Sequence, residues 1–382
     1  MAEARLAQSA SPDRPTVLLA HPQAERLRAV AAALAREYRV DSVADGGVAF
    51  ERLAAGRCRL ALVAMALPGM SGLEALRRLA ALGLQQPPQV LAVGARDDVR
   101  LRVVATHDFA QAVQELPCPD GVLLRRLWLL ADREVEGDWS RLPPLPKALV
   151  RSTRMLLGRA GAAVTGGGEL SSDQVRAAGR QLVEALCARL MDGVLGALGR
   201  HHDYTFAHSL RVATHLATFA LATGMRREDA EVLAQAGLLH DIGKAAVPVG
   251  ILDKPGPLDT GEWHLVQRHP AIAADVLQRS PALPAHLVRI AERHHERLDG
   301  SGYPQGLRGA QIDEPSLLCA IADVHTALTD RRAYRSPLDE ASAFARMREM
   351  AGAQLEPALL ARYEAVMLDQ QPRSRRDPGG SP

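Results

Sequence analysis

The chain has 382 residues, enough at about 150 residues per domain for two or three domains. Hydrophobic residues make up 47%, which excludes a mainly disordered chain, and aromatics are only 3%, so the cores must rest on Leu, Val and Ala. The 46 basic residues against 44 acidic, a net charge of +2, exclude the electrostatic footprint of a dedicated nucleic-acid binder.

Residues 1–14 are polar and are expected as a mobile tail without the apolar core of a secretory signal. From Thr16 to about Ala131, short apolar runs (TVLLA, YRVDSV, LALVA, QVLAVG, AQAVQEL) alternate with amphipathic stretches such as GLEALRRLAAL and GVLLRRLWLLADRE. Continuous apolar strands between amphipathic helices predict a parallel sheet covered on both faces, here a five-stranded doubly wound α/β domain over 15–131.

The order of these segments and the motif LPGMSGLEAL resemble the receiver domain of two-component response regulators. The resemblance implies four chemical positions, and this chain departs at each. The acidic pair that would hold Mg²⁺ after the first strand reads Ala20-His21-Pro22. The phosphoacceptor aspartate, four residues before the turn Pro68, is Ala64. The hydroxyl residue ending the fourth strand is Gly94, and the lysine after the fifth is absent near Leu116 and Cys118. Without carboxylates there is little to bind Mg²⁺, and alanine has no nucleophile. The expectation is a pseudo-receiver that cannot be phosphorylated and serves docking to a protein partner or dimerisation.

Residues 132–171 break the alternation. RLPPLPKAL and TGGGELSS are Pro- and Gly-punctuated, and a linker is expected there. SSDQVRAAGRQLVEALCARLMDGVLGAL then reads as one long helix with Val175, Leu182, Leu186, Leu190 and Val194 near one face. Such a face fits a packing helix of the next domain or a stalk that forms a homodimer or carries a signal, and periodicity does not separate the two.

From Asp203 to about Leu368 nearly every segment reads helical, which predicts an all-α C-terminal domain over 172–366 and a polar tail over 367–382. Eleven of the 13 histidines fall between His201 and His325. His208, His240-Asp241, His269, His294-His295 and Asp323 lie on different helical segments and can converge on one cavity of a bundle. Neutral imidazole and carboxylate suit iron, manganese, zinc, cobalt or nickel. Seven ligands are too many for one ion and about right for two sharing a bridge, an arrangement suited to phosphoester hydrolysis. A carboxylate can bridge because it has two oxygens. His215, His264, His286 and His325 lack such adjacency and are read as ordinary core or surface residues. No apolar run approaches the roughly 18–20 residues of a membrane span. The four cysteines, Cys58, Cys118, Cys187 and Cys319, form no CxxC pair, so the expected compartment is a reducing cytoplasm.

HDIGK, then KPGPLDTGEW…QRHP, then HHERLDGSGYPQGL, then AIADVHTAL together resemble the HD-GYP subfamily of the HD phosphohydrolases over roughly residues 172–365. The resemblance implies a cyclic di-GMP phosphodiesterase with a binuclear centre, commonly iron or manganese, that yields the linear pGpG and in some members GMP. His208, His240, Asp241 and Asp323 would hold one divalent ion, and Asp241 would bridge to a second held by His269, His294 and His295. Lys244, one turn from His240, would meet the scissile phosphate as a point charge. Tyr303 would line the mouth, and Arg332 and Arg335 would offer guanidinium forks to phosphate or a guanine edge. Trinuclear members carry Glu where this chain has Tyr204, so two ions are expected. Thr326 and Ala333 replace residues common in the family and leave a rival reading open: a metal-loaded, weakly active sensor of cyclic di-GMP that acts through protein partners.

Overall fold

The computed structural model describes residues 15–35, 38–139, 142–198, 204–252, 254, 256–330 and 337–369. The chain divides into two compact units, one over Met1–Asp138 with Arg200–Asp203, the other over Trp139–Gly199 with Tyr204–Pro382.

In the first unit, strands β1 (Thr16–Ala20), β2 (Arg39–Val43), β3 (Cys58–Ala64), β4 (Gln89–Ala95) and β5 (Ala112–Leu116) alternate with helices. These are α1 (Arg28–Leu34), α2 (Gly46–Ala54), α3 (Gly72–Ala81), α4 (Val99–Thr106) and α5 (Asp120–Asp138). All strand pairs are parallel, in the order β2-β1-β3-β4-β5. The inner strands β1, β3 and β4 are buried on both faces, which is why they read as unbroken apolar runs. Side chains start three of the helices: Asp45 accepts from the amides of Gly47 and Val48, Ser71 from Glu74, and Asp98 from Arg100. The strand order reverses between β1 and β3, so the crevice that doubly wound sheets use for chemistry lies at their carboxyl ends. There stand Ala20-His21, Ala64 and Gly94.

The second unit is helical: α6 (Pro144–Gly166), α7 (Ser172–Cys187), α8 (Met191–Leu198), α9 (Tyr204–Ala222), α10 (Arg227–Leu239), α11 (Val249–Leu252), α12 (Thr260–Gln267), α13 (His269–Arg279), α14 (Ala285–Arg293), α15 (Glu314–Thr329), α16 (Glu340–Met350) and α17 (Pro357–Asp369). One continuous apolar core joins all of these but α11 and α12, with Phe206, Leu239, Ile290, Ile321, Phe344 and Tyr363 among its members. Among the described residues no helix is long and apolar enough to cross a membrane.

The structure corrects two expectations. The stretch 132–171, expected as a linker, carries the end of α5 and the whole of α6. Helix α6 buries Leu149, Val150, Thr153, Leu156, Ala160 and Ala163 on one face and packs on α7 and the 3-10 turn Ile242–Ala246. Its proline sits in the first turn, where a missing N–H costs nothing, and Gly167 closes it in the left-handed region (φ 74°). The same residues that read as breakers are its caps. The single long helix expected from Ser171 onward is two. Arg189 adopts φ 56°, the amide of Leu190 donates to the Ala185 carbonyl and that of Arg189 to Leu186. That bonding pattern ends α7, with arginine in the place glycine usually takes.

Candidate metal centre

The ends of α10, α13 and α14 and the interiors of α9 and α15 build the site. His208 lies on α9 and Asp323 on α15. His240 closes the C-terminus of α10, and Asp241 follows it at the start of the 3-10 turn Ile242–Ala246. His269 opens α13, with Pro270 in the first turn separating it from α12. His294 closes α14 and His295 follows. Glycine sets the spacing: a Cβ on Gly243 would lie 2.0 Å from the His269 carbonyl oxygen. Only glycine lets the HDIGK turn rest directly on the start of α13.

The structure brings all seven residues together as two adjoining groups. Asp241, His269, His294 and His295 form one, His208, His240 and Asp323 the other; within each, one donor atom per residue lies within 4.8 Å of the others. Asp241 faces both with different oxygens. Its Oδ1 is 3.1 Å from His269 Nε2 and 3.7 Å from His294 Nε2. Its Oδ2 is 3.4 Å from His240 Nε2 and 3.8 Å from His208 Nε2. Lys244 Nζ donates to the same Oδ2 at 2.5 Å.

Tautomers follow from the hydrogen bonds. Nδ1 of His240, His269 and His294 lies 2.8, 2.7 and 2.8 Å from the carbonyls of Gly237, Val266 and Ala291. A carbonyl only accepts, so each Nδ1 carries the proton and each Nε2 presents a lone pair to the cavity. The Nε2 atoms of His269 and His294 then face each other at 3.4 Å, beside Asp241 Oδ1. His240 Nε2 and Asp241 Oδ1 are buried without a hydrogen-bond partner among the described residues. Buried acceptors converging on acceptors are unfavourable unless a cation lies among them. The donor set is nitrogen and carboxylate oxygen, with no sulfur, and it fits divalent first-row metals.

The electrostatics agree. Burial opposes the Asp241 and Asp323 carboxylates, yet Lys244 and His240 around the first, and His208 bonded to the second, hold both well below the usual range. Burial lowers His294 to about 4 and pushes His295 well down, so both are neutral and able to ligate at pH 7. Burial also opposes charge on His208, but its bonds to Asp323 (3.0 Å) and Asp330 (3.2 Å) prevail and lift it to about 9. In a cavity rich in carboxylate, a proton on His208 supplies positive charge that a metal ion would replace.

Tyr303 packs beside the site, its ring tilted against that of His295 with centroids 4.7 Å apart. Burial and the Asp241 and Asp323 charges raise its hydroxyl, which stays neutral. The loop that carries it obeys two different glycine rules. Gly300 needs its left-handed φ of 76°. Gly302 needs space instead, since a Cβ there would lie 2.4 Å from the Arg297 amide nitrogen. Arg332, Arg335 and Ala333 lie outside the described residues, as does the side chain of Tyr204.

Three supporting groups were not singled out from the sequence. Asp330 accepts from His208 Nδ1 and from Arg211. Glu296 is fully buried and accepts from the amides of Gln305 and Leu307 at 2.7 and 2.9 Å, anchoring the loop of Tyr303 to the His294-His295 turn. Its place inside HHERLDG was the available signal. Trp263 contacts Tyr303 from α12. His215 lies elsewhere, stacked at 4.9 Å on His325, with Nδ1 3.2 Å from Thr326 Oγ1. His325 in turn bonds Glu340 and Tyr363.

A cluster of buried His and Asp on a helical bundle is the mark of an HD domain, and the HD-domain family model matches residues 196–359. The cyclic di-GMP phosphodiesterase response regulator RpfG of Xanthomonas campestris is 30% identical over 332 residues, 87% of this chain and 81% of that protein. The chain therefore belongs to the HD-GYP family, in the arrangement that sets a receiver-like domain before the HD domain. A 3'3'-cGAMP-specific phosphodiesterase of Vibrio cholerae is 39% identical over 181 residues, 46% of this chain and 39% of the relative. This and two further cGAMP-specific relatives are matched over only 30–39% of their own length. Among solved structures, Bd1817, an HDG"Y"P protein of Bdellovibrio bacteriovorus, aligns at 15% identity with a TM-score of 0.48 over 66% of this chain and 81% of that one.

Proposed function

We propose that the chain is a metal-dependent phosphodiesterase that opens cyclic di-GMP to linear pGpG, with GMP as the product of a second cut. The observation that carries this reading is the two-faced Asp241, one oxygen toward His269 and His294, the other toward His240 and His208. That arrangement suits two ions sharing a carboxylate bridge. His208, His240, Asp241 and Asp323 would hold one, and Asp241, His269, His294 and His295 the other. Bound there, two divalent ions would act as Lewis acids on the phosphoryl group and supply a nucleophile at neutral pH. The chain's own groups do the rest. The backbone carbonyls of Gly237, Val266 and Ala291 fix three imidazole tautomers. Lys244, a quarter exposed, offers positive charge to a phosphate at the cavity mouth. Tyr303 closes the mouth on the His295 side. In the overall reaction water adds to phosphorus, the bond to the 3′ oxygen breaks, and that oxygen takes the proton.

The test is to purify the full chain under low oxygen, measure metal per chain, and follow cyclic di-GMP and 3'3'-cGAMP by chromatography. Two iron or manganese ions per chain with pGpG formation support the proposal. The names of three relatives favour cGAMP as a second substrate, and faster turnover of cGAMP would move the assignment there. Metal binding and ligand binding without turnover would leave the sensor reading. For the first unit we propose a non-phosphorylatable docking role, supported by Ala64, which is buried at the end of β3 with Val93 as its partner on β4. We also place the protein in the cytoplasm, a reading supported by its four free cysteines.

A further inference from the structure

Helix α12 spends none of its side chains on the core. It is nevertheless well fixed: Asp259 and Glu262 form a reciprocal cap at its start, and Lys254 pairs with Glu262. Its C-terminus runs directly into His269. The helix holds Trp263 at 43% exposure, one of the most exposed large apolar side chains among the described residues. The indole is not stranded on the surface. Its ring stands edge-to-face against Tyr303, with centroids 5.9 Å apart and planes at 79°. Tyr303 in turn touches the rings of His295 at 4.7 Å and His269 at 6.3 Å. Four rings thus descend from solvent to the cluster, and the outermost keeps much of its surface free.

We propose that Trp263 is a substrate-binding residue whose exposed indole face stacks on a purine base of the cyclic dinucleotide. The inference rests on the reading of the site as a cyclic-dinucleotide phosphodiesterase and adds a base-binding position to it. A phosphodiester seated at the cluster carries its bases outward, and an indole two ring contacts from His295 lies on that path. Stacking on an aromatic plane is the sequence-tolerant way to hold a base, because each base has a π-face. The edge-to-face contact with Tyr303 leaves the indole little freedom to lose on binding. Trp263 is a substrate contact in this account, apart from the ligand set.

The experiment uses the metal-loaded full chain and the variants Trp263→Phe and Trp263→Leu. With cyclic di-GMP, the leucine variant raises KM about 5- to 100-fold at unchanged kcat. Phenylalanine recovers part of that loss, and metal content stays at the wild-type value. Cyclic di-GMP also quenches the wild-type indole fluorescence, and the Trp263→Phe protein lacks that response. A leucine variant with wild-type KM, or one that loses kcat and metal together, overturns the proposal while leaving the phosphodiesterase reading intact; Trp263 would then only prop Tyr303. Quenching that depends on Trp263 without any hydrolysis sinks the phosphodiesterase reading and keeps the stacking. A wild-type protein that neither hydrolyses nor responds to cyclic di-GMP overturns both.

Discussion

At the scale of single residues, Asp241 and Asp330 make opposite demands on the metals. Asp241 faces both donor sets, with Oδ1 toward His269 and Oδ2 toward His240. Asp241→Ala is expected to lose both ions and all hydrolysis, measured as metal per chain on folded protein; two ions retained would refute the bridge. Asp330 touches no proposed ion position but orients His208 through Nδ1. Groups of this kind typically set metal affinity within a factor of about 10–100. Asp330→Ala should weaken one ion's affinity by that factor in a competition titration with a chelator, while the site around His269 keeps its ion. His240-Asp241 was legible because a polar pair interrupts the apolar run of AGLLHDIGK and must be satisfied somewhere, and the other five residues because the histidines crowd into one third of the chain and follow the HD-GYP motif order. Asp330 was not legible. Its role depends on a fold-level contact between α9 and the end of α15, and nothing in TALTDRR marks it.

At the scale of elements, the alternation of the first unit was readable nearly strand by strand, since a parallel sheet buried on both faces leaves short unbroken apolar runs. The second unit was readable as helix but not in its punctuation. Pro144, Gly167 and Arg189 each end or begin a helix by backbone geometry that composition alone reads as a linker or ignores. The close approach at Gly243 was equally invisible, because packing distance is not a property of the local sequence. That approach has a consequence. Gly243→Ala forces a Cβ into the His269 carbonyl, so α13 must shift away from the turn that carries Asp241. Overpacking of this kind costs about 1–3 kcal/mol. The variant should show a lower Tm and, separately, a weakened ion on the His269 side, whereas Ala162→Gly on the exposed side of α6 loses only about 1 kcal/mol of helix propensity and leaves the ions unaffected.

The His215 network ties α9 to α15, α16 and α17 and gives the second unit a pH response. Burial, with His325 close by, lowers His215 to about 3, against about 6.5 in the unfolded chain. The folded state therefore binds fewer protons than the unfolded state between those values. Stability from this group is intact above pH 6.5 and drains away as pH falls toward 3. The Tm of the wild-type chain should drop more between pH 7 and 5 than that of His215→Leu; equal drops would remove His215 from the account.

At the scale of the whole molecule, the two units carry unequal chemistry. The second gathers seven ligand-type side chains, while the carboxyl end of the sheet in the first presents Ala20, His21, Ala64 and Gly94. A receiver responds because a phosphoryl group adds charge and acceptor oxygens that reorder nearby loops. Ala64 has no atom to accept that group, and a Cβ on Gly72 would already lie 2.2 Å from its carbonyl oxygen, so α3 starts hard against the end of β3. His21 is buried, and burial lowers its imidazole, so it offers no lasting charge in exchange. Two carboxylates beside these loops are committed: Asp45 caps α2, and Asp98 caps α4 while holding Arg100 through both oxygens at 2.9 Å. Incubation with acetyl phosphate, or with beryllofluoride and Mg²⁺, should therefore leave mass, oligomeric state and hydrolysis rate unchanged. A stable phosphate on residues 15–131, or an activity change of several-fold that disappears when those residues are deleted, would show that the first unit kept a phosphoacceptor other than the residue at the end of β3.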